Sequence, residues 1–427
     1  MADQASGARP RMSRSAAAFL GSVAVSSAGD GFRYAALPLL LALYGASPAV
    51  LGLLLAVGTA PFLLIGVLGG ALADRRDRLM ILRAADLARF CAGGLFVILL
   101  ALGASHAVVI AAAFVLAFVM GAGEAFAYPA MFALVPAISG PGELARLNGR
   151  IGACQTVGQN MIGPLAGSAV VPALGLAPFL ADALSFATSW LLLSRVEPRA
   201  QSRAQSRAGR GRVADGPPPP RRLRADILDA FRWLRTQPVL MSLTATSALV
   251  NLANMGFLST QALYAIKVLH SPAIGYGALM ASASAGGTVT ALAAGRIARR
   301  DNSLRLVPAA CAVLAGGMLV VALASQLIVA MGGALCCGAG YALYNVTATT
   351  VRQQLIPDQL RGRVSSLSRS VSWGVLPLGS LGGGLLASTI GLRAPAAFTA
   401  IAAIAATGWI FWATTRWRVR VPIPALD

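Results

Sequence analysis

Runs of about twenty apolar residues recur along the whole of this 427-residue chain, separated by short stretches rich in glycine, proline and arginine. A helix rising 1.5 Å per residue needs about 20 residues to cross a hydrocarbon layer about 30 Å thick. Inside that layer every backbone amide must find its partner within the protein, so only helices or closed barrels can cross. Barrel strands would be about ten residues long and would alternate apolar with polar. These segments are longer and uniformly apolar, so the chain is expected to be an all-α polytopic membrane protein. The composition agrees: 57% of residues are hydrophobic and 12% charged, against about 25% charged in soluble domains.

Twelve spans are expected, at 16–44, 49–72, 79–103, 107–129, 150–172, 177–195, 239–264, 273–295, 304–325, 327–350, 364–389 and 395–415. Residues 1–15 are basic and lead into an apolar run too long for a signal peptide, so that run is read as an uncleaved first span. The net charge of +20 is distributed unevenly. Arg9, Arg11, Arg14, Arg75, Arg76, Arg78, Arg83, Arg146, Arg150, eleven arginines from Arg195 to Arg235, and later Arg296, Arg352, Arg361 and Arg416 fall at one set of span ends. Between spans at the other set stand only Lys267 and Arg393. By the positive-inside rule both termini are cytoplasmic. The basic surplus therefore reports topology and contact with membrane lipids, and no nucleic-acid partner is expected.

The chain repeats itself. The stretch from Ser47, "SPAVLGLLLAVGTAPF", aligns without gaps with "SPAIGYGALMASASAG" from Ser271, 224 positions later. "GAGEAFAY" from Gly121 matches "GAGYALYN" from Gly338 at an offset of 217, and "GPLAG" from Gly163 matches "GSLGG" from Gly379 at 216. Two pseudo-symmetric six-helix bundles follow, residues 1–195 and 239–427, with a binding site expected between them near mid-membrane. Residues 196–238 read as a cytoplasmic linker rich in Arg, Gly and Pro. It ends in an amphipathic helix whose apolar face carries Leu223, Ile227, Phe231 and Leu234.

Charges inside the spans are the candidate functional groups, because a charged aspartate at a span centre costs about 2.5–3.5 kcal/mol on the insertion scale. Asp30 sits there, with Arg33 one helical turn on. Glu124 is the other deep acid, and its repeat mate is Tyr341. Asp30, Arg33 and Glu124 are thus the candidates to take up and release protons, unless Asp30 and Arg33 form a fixed structural pair. Phe32, Tyr34 and Tyr128 could supply aromatic walls for a substrate, and Asn251, Asn254, Tyr341, Tyr344 and Asn345 polar contacts. Asp86 with Arg89 reads as a pair at the membrane interface, and Asp182 as structural. Five cysteines, all within spans, and two histidines at span ends show no metal-ligand or disulfide spacing. Neither a cofactor nor a metal is expected. The single lysine, Lys267, lies outside any phosphate-binding loop, so no ATPase and no enzyme is expected.

The gap after the second span, "GGALADRRDR", resembles the signature Gly-x-Leu-Ala-Asp-Arg-x-Gly-Arg-Lys of the major facilitator superfamily, on Gly70, Leu72, Ala73, Asp74, Arg75 and Arg78. Asp77 replaces the second glycine of that signature and Leu79 its lysine. The Asp-Arg-x-Asp-Arg form, with "SSAGDGF", "LADALSFA" and "LRGRVSSLSRS", is similar to the branch of enterobactin-type siderophore exporters and macrolide efflux proteins. The resemblance implies a monomeric secondary transporter of a bacterial cytoplasmic membrane. Gly70, Asp74, Arg75 and Arg78 would form a conformational latch, reaching Glu124 or a helix C-terminus at the inner end of span 4. "GPLAG" resembles the exporter element Gly-Pro-x-x-Gly on Gly163, Pro164 and Gly167, with a bend expected at Pro164, which cannot donate to the carbonyl of Asn160. The expected function is proton-coupled export of a small amphiphile such as a drug or siderophore by alternating access. Import or lysophospholipid flipping on the same scaffold is the alternative, and a non-transporting sensor or scaffold the second.

Overall fold

The computed structural model describes residues 12–75, 77–140, 143–197, 231–300 and 303–416. Among the described residues every regular element is a helix. The first half comprises α1 (Arg14–Leu43), α2 (Pro48–Arg75), α3 (Arg78–Ala101), α4 (His106–Ile138), α5 (Leu144–Cys154), a π-helical segment (Gln155–Ile162), α6 (Gly163–Val170) and α7 (Ala177–Ser194). The second half comprises α8 (Pro238–Lys267), α9 (Ala273–Arg300), α10 (Ser303–Leu323), α11 (Leu327–Leu355), α12 (Asp358–Gly374), α13 (Leu376–Thr389) and α14 (Ala394–Arg416). Helices α5 and α6 with the π segment between them make the fifth crossing. Helices α12 and α13 make the eleventh.

Short connections between long apolar helices force antiparallel neighbours. One end of the bundle therefore collects most of the arginines between helices together with the start of α1 and the end of α14, and is called the basic end below. At the opposite end Gly45, Gly103 and Gly391 hold positive φ values of 81°, 65° and 131°, turning the chain between α1 and α2, α3 and α4, and α13 and α14. Capping fixes the basic end locally: the Ser13 hydroxyl accepts from the amide of Ala16, and the Asp77 carboxylate from that of Leu79. Asp77, where the signature has glycine, is thus the N-cap of α3.

The duplication reappears as packing. Without a hydrophobic drive between helices in lipid, small residues let backbones approach. Gly167 lies against the backbone of Phe32, and a Cβ added there would be 2.5 Å from its carbonyl oxygen. At the repeat offsets, Gly383 lies against Gly256 in the same way. Gly121 on Gly58 is echoed by Gly338 on Ala283, one position past the repeat mate of Gly58.

Among the described residues the two halves meet mainly away from the basic end. Gly52 on α2 faces Ser380 and Gly384 on α13, and Gly277 on α9 faces Pro164 and Ser168 on α6. Nearer mid-depth, Trp373 of α12 makes edge contacts with Phe62 on α2 and Tyr128 on α4, at ring-centroid distances of 5.8 and 6.2 Å. Most of the 196–238 linker lies outside the described residues. Its last turn is helical, with Leu234 buried and Phe231 exposed.

Candidate functional site

In the first half a group of charged side chains lies within the bundle. The mid-point of α1 presents Asp30 and, one turn on, Arg33. The Arg33 Nη2 donates to the Asp30 carboxylate at 2.6 Å, and its Nε lies 3.2 Å from the Asp182 carboxylate on α7. Asp182 is fully buried and Arg33 nearly so. One guanidinium thus faces two carboxylates, and it also rests 4.7 Å from the centre of the Tyr34 ring. The structure brings Asp182 into direct contact with the charged residues of α1.

Two other carboxylates face neutral donors. The Tyr34 hydroxyl donates to Glu124 Oε2 at 2.8 Å, and the Ser189 hydroxyl on α7 donates to Asp86 Oδ2 at 2.7 Å. Arg89, one turn after Asp86, is only 5% exposed. It packs against Gly123 of α4, and its guanidinium carbon lies 5.1 Å from the centre of the Phe186 ring. Its Nε and Nη2 have no hydrogen-bond partner. The expectation of an interfacial Asp86–Arg89 pair is therefore corrected: both side chains turn inward, because Ser189 and Phe186 on α7 offer them a hydroxyl and a ring face.

These residues border one cavity of about 80 Å³, lined by Asp30, Asp86, Arg89, Glu124, Gln155 and Gln159 among others. Its wall continues through Ser22, Leu82 and Leu193 towards the basic end. Tyr128 lines it too, and through the Tyr128–Trp373 contact the cavity adjoins the second half. Burying charge in a membrane protein is costly unless it is paired or wetted. Here four carboxylates stand against two guanidiniums, so with every group ionised the cluster carries two uncompensated negative charges.

Backbone packing ties this cluster to the fifth crossing. A Cβ at Gly163 would lie 2.6 Å from the Gly31 Cα, and one at Gly31 would lie 2.5 Å from the Gly158 carbonyl oxygen. The turn holding Asp30 and Arg33 therefore rests on the segment around Pro164, whose other side meets Gly277 of the second half. In place of a simple proline bend, residues 155–162 wind as π-helix, and the Gly163 amide donates to the carbonyl of Gly158. The wider turn absorbs the donor that Pro164 lacks and aims Gln155 and Gln159 at the cavity.

The remaining sequence candidates separate. In the second half the Tyr341 hydroxyl donates to the Asn251 side chain at 2.9 Å, and Asn251 donates to the Ser372 carbonyl at 3.1 Å. Asn254 is half-buried on α8, at the position 224 residues after Asp30. Tyr344 is buried, its hydroxyl donating to the Leu243 carbonyl and bonded to Ser247, so it serves packing between α8 and α11. The Asn345 amide bonds back to its own helix at the Tyr341 carbonyl. Phe32 lines a groove formed by α1 and α7 alone. Arg78 reaches the carboxyl-terminal part of α4, donating to the Ala133 carbonyl at 2.9 Å, and does not meet Glu124. The side chains of Asp74 and Arg75, and the surroundings of Gly70, lie outside what the structure describes. Asp182, Ser189, Gln155, Gln159 and Trp373 were not singled out as functional by sequence. Asp182 carried the signal of a charge within a span and was read as structural; the two glutamines, four apart beside "GPLAG", carried a weaker one.

No curated protein matches the chain by sequence. Among solved structures it is similar in fold to a bacterial homologue of the iron transporter ferroportin in an inward-facing state, with TM-score 0.72, 16% identity, and 95% of this chain and 99% of that one covered. A bacterial homologue of the human lysosomal transporter Spinster, inward-facing and occupied, gives TM-score 0.73, 17% identity, and coverage of 98% and 100%. A D-xylose–proton symporter gives 0.68, 14%, and coverage of 92% and 95%. The profile of the Major Facilitator Superfamily matches residues 19–378. The chain belongs to the Major Facilitator Superfamily and is a multi-pass membrane transporter, not an enzyme.

Proposed function

We propose that the protein is a proton-coupled exporter of a small amphiphilic compound, working by alternating access in a bacterial cytoplasmic membrane with both termini inside. The observation that carries this reading is the two-charge surplus of the Asp30, Asp86, Glu124 and Asp182 carboxylates over Arg33 and Arg89. A buried surplus of that size is relieved by binding protons, and a cavity that is wetted from alternate sides can load and release them. Asp30 is held by Arg33, so the proton exchanged in each cycle is assigned to Glu124, whose only direct donor among the described residues is the neutral Tyr34. Around it, among the described residues, stand Asp30 and Arg33 on α1 and Asp86 and Arg89 on α3, with Asp182 on α7 behind Arg33. Arg369 on α12 is exposed, rests 5.9 Å from the centre of the Trp373 ring, and stands outside this cluster.

The route from proton to substrate follows the packing. A shift of the Asp30–Arg33 turn pushes on Gly158 and Gly163, and through Pro164 on Gly277, where the halves touch. The substrate would lie between Tyr128, Trp373 and Phe62 on one side and the Asn251–Tyr341 pair on the other. Contacts between the halves away from the basic end, with a cavity running towards it, support a state open to the cytoplasm. The Gly163-Pro164-x-x-Gly167 element supports export.

The test is transport in proteoliposomes containing the purified full-length chain, using a panel of lipophilic drugs and siderophores. At least one compound is expected to accumulate against its gradient when a pH gradient is imposed, and to stop when an ionophore collapses it. Accumulation that persists without the gradient, or none across the panel, would remove proton-coupled export.

A further inference from the structure

A second concave feature of the first half lies apart from the charged cavity. Between α3 and α4 a groove of about 470 Å³ opens on the outer face of the bundle, and every residue lining it is apolar. Small residues, Ala85, Ala88, Ala122 and Gly123, keep it deep, while Met80 and Phe118 rise exposed at its two ends. Neighbours in sequence face opposite ways: Ala85 lines the groove and Asp86 the cavity, Gly123 the groove and Glu124 the cavity. The two share no lining residue. With no polar side chain to hold water and its mouth towards the hydrocarbon layer, the groove is filled by an apolar chain.

The basic end of the groove carries a charge. From Ala88 the lining steps back through Ala85 and Ile81 to Arg78 at intervals of three and four residues, one stripe of α3. The matching stripe of α4 runs from Gly123 through Phe126 and Ala130 to Ala133. The stripes close where Arg78 Nη1 donates to the Ala133 carbonyl at 2.9 Å, its one hydrogen bond among the described residues. Arg78 is half-buried, and a guanidinium carries five N–H donors, so most of them are left for a group at headgroup depth. Such a groove selects a molecule with an anionic head at the basic end and an apolar tail pointing towards mid-membrane. From Met80 to Ala88 the helix rises about 12 Å, so one acyl chain can lie along it. We propose that the groove binds an anionic phospholipid from the leaflet at the basic end, its phosphate on Arg78 and one acyl chain between α3 and α4. This site makes no use of the charged cluster and stands whether or not that cluster exchanges protons.

The experiment uses the purified full-length protein in a neutral detergent. Its melting temperature is followed on titration with dioleoylphosphatidylglycerol, with dioleoylphosphatidylcholine, and with glycerol phosphate, a head without tails. Phosphatidylglycerol is expected to half-saturate at a concentration about fivefold below that of phosphatidylcholine, and glycerol phosphate to have no effect. Arg78→Gln should raise the half-saturating phosphatidylglycerol concentration about fivefold and erase the preference for the anionic head, whereas Arg78→Lys should keep that preference. Ala88→Phe fills the groove without changing Arg78, and should weaken both lipids at least about tenfold. Ala88 is exposed, so this variant decides the matter even where Arg78→Gln does not fold. Equal titrations with the two lipids, a response to glycerol phosphate matching that to the lipid, or binding indifferent to Ala88→Phe would overturn the site. A dimer that Ala88→Phe dissociates would put a second copy of the chain in the groove and overturn it as well.

Discussion

Glu124→Gln is expected to abolish uphill, pH-driven transport, lowering its rate at least about 100-fold, while exchange of labelled for unlabelled substrate across the membrane continues. The physical reason is local. The glutamine keeps the size of the side chain and, through its amide oxygen, still accepts from the Tyr34 hydroxyl, so the contact between α1 and α4 survives. What disappears is the ability to be charged in one state and neutral in another. A carrier that cannot change charge has nothing for the proton gradient to act on, yet the rocking of its two halves is intact. Asp30→Asn is expected to behave similarly for uphill transport, but with lower stability, because it weakens the contact to Arg33. The measurement is paired: uphill accumulation and counterflow in the same vesicles. Loss of both together would report a collapsed fold and not a lost coupling step.

The second large effect concerns Arg33. Removing it as Arg33→Leu leaves Asp30 and Asp182 facing each other across α1 and α7 with no cation between them. Breaking a buried pair by taking one partner costs about 3–5 kcal/mol, most of it the stranded charge and not the lost attraction. Arg33→Leu alone is therefore expected to lower the melting temperature sharply or to prevent recovery of folded protein. Adding Asp182→Leu removes the worse-stranded carboxylate, since Asp182 is fully buried whereas Asp30 borders the cavity. The double variant should regain more than half of the lost stability, and a double-mutant cycle over the two positions should show strong coupling. Additive losses would mean that the 3.2 Å approach of Arg33 to Asp182 carries no energy.

Hydropathy alone located the crossings, because the hydrocarbon layer demands one length and one composition whatever the tertiary contacts. Glycine matching at offsets of 216, 217 and 224 was equally legible, since contacts such as Gly167 on Phe32 and Gly383 on Gly256 depend on the absence of a side chain. Asp30 and Arg33 stood out for the same reason that any charge in a span does. What could not be read was which charges meet. Asp182 lies near the start of its helix and Asp86 near the basic end of its own, so each taken alone looked peripheral. Only the crossing of α1, α3, α4 and α7 brings them to one place. The π-helical turn was hidden as well: the sequence shows that Pro164 lacks a donor, but whether the chain kinks or widens depends on Gly31 pressing against Gly158. Trp373 gave no periodic or motif signal, because its role comes from contact between the halves.

On the proposed reading, the buried cluster of the first half holds exchangeable protons because, among the described residues, its carboxylates outnumber its guanidiniums by two. Infrared difference spectroscopy of the purified protein, stepping from high to low pH, reads this directly. A band from a newly protonated carboxyl group should appear, and it should be missing in Glu124→Gln. No such band at any pH, or one unchanged in that variant, would contradict the account.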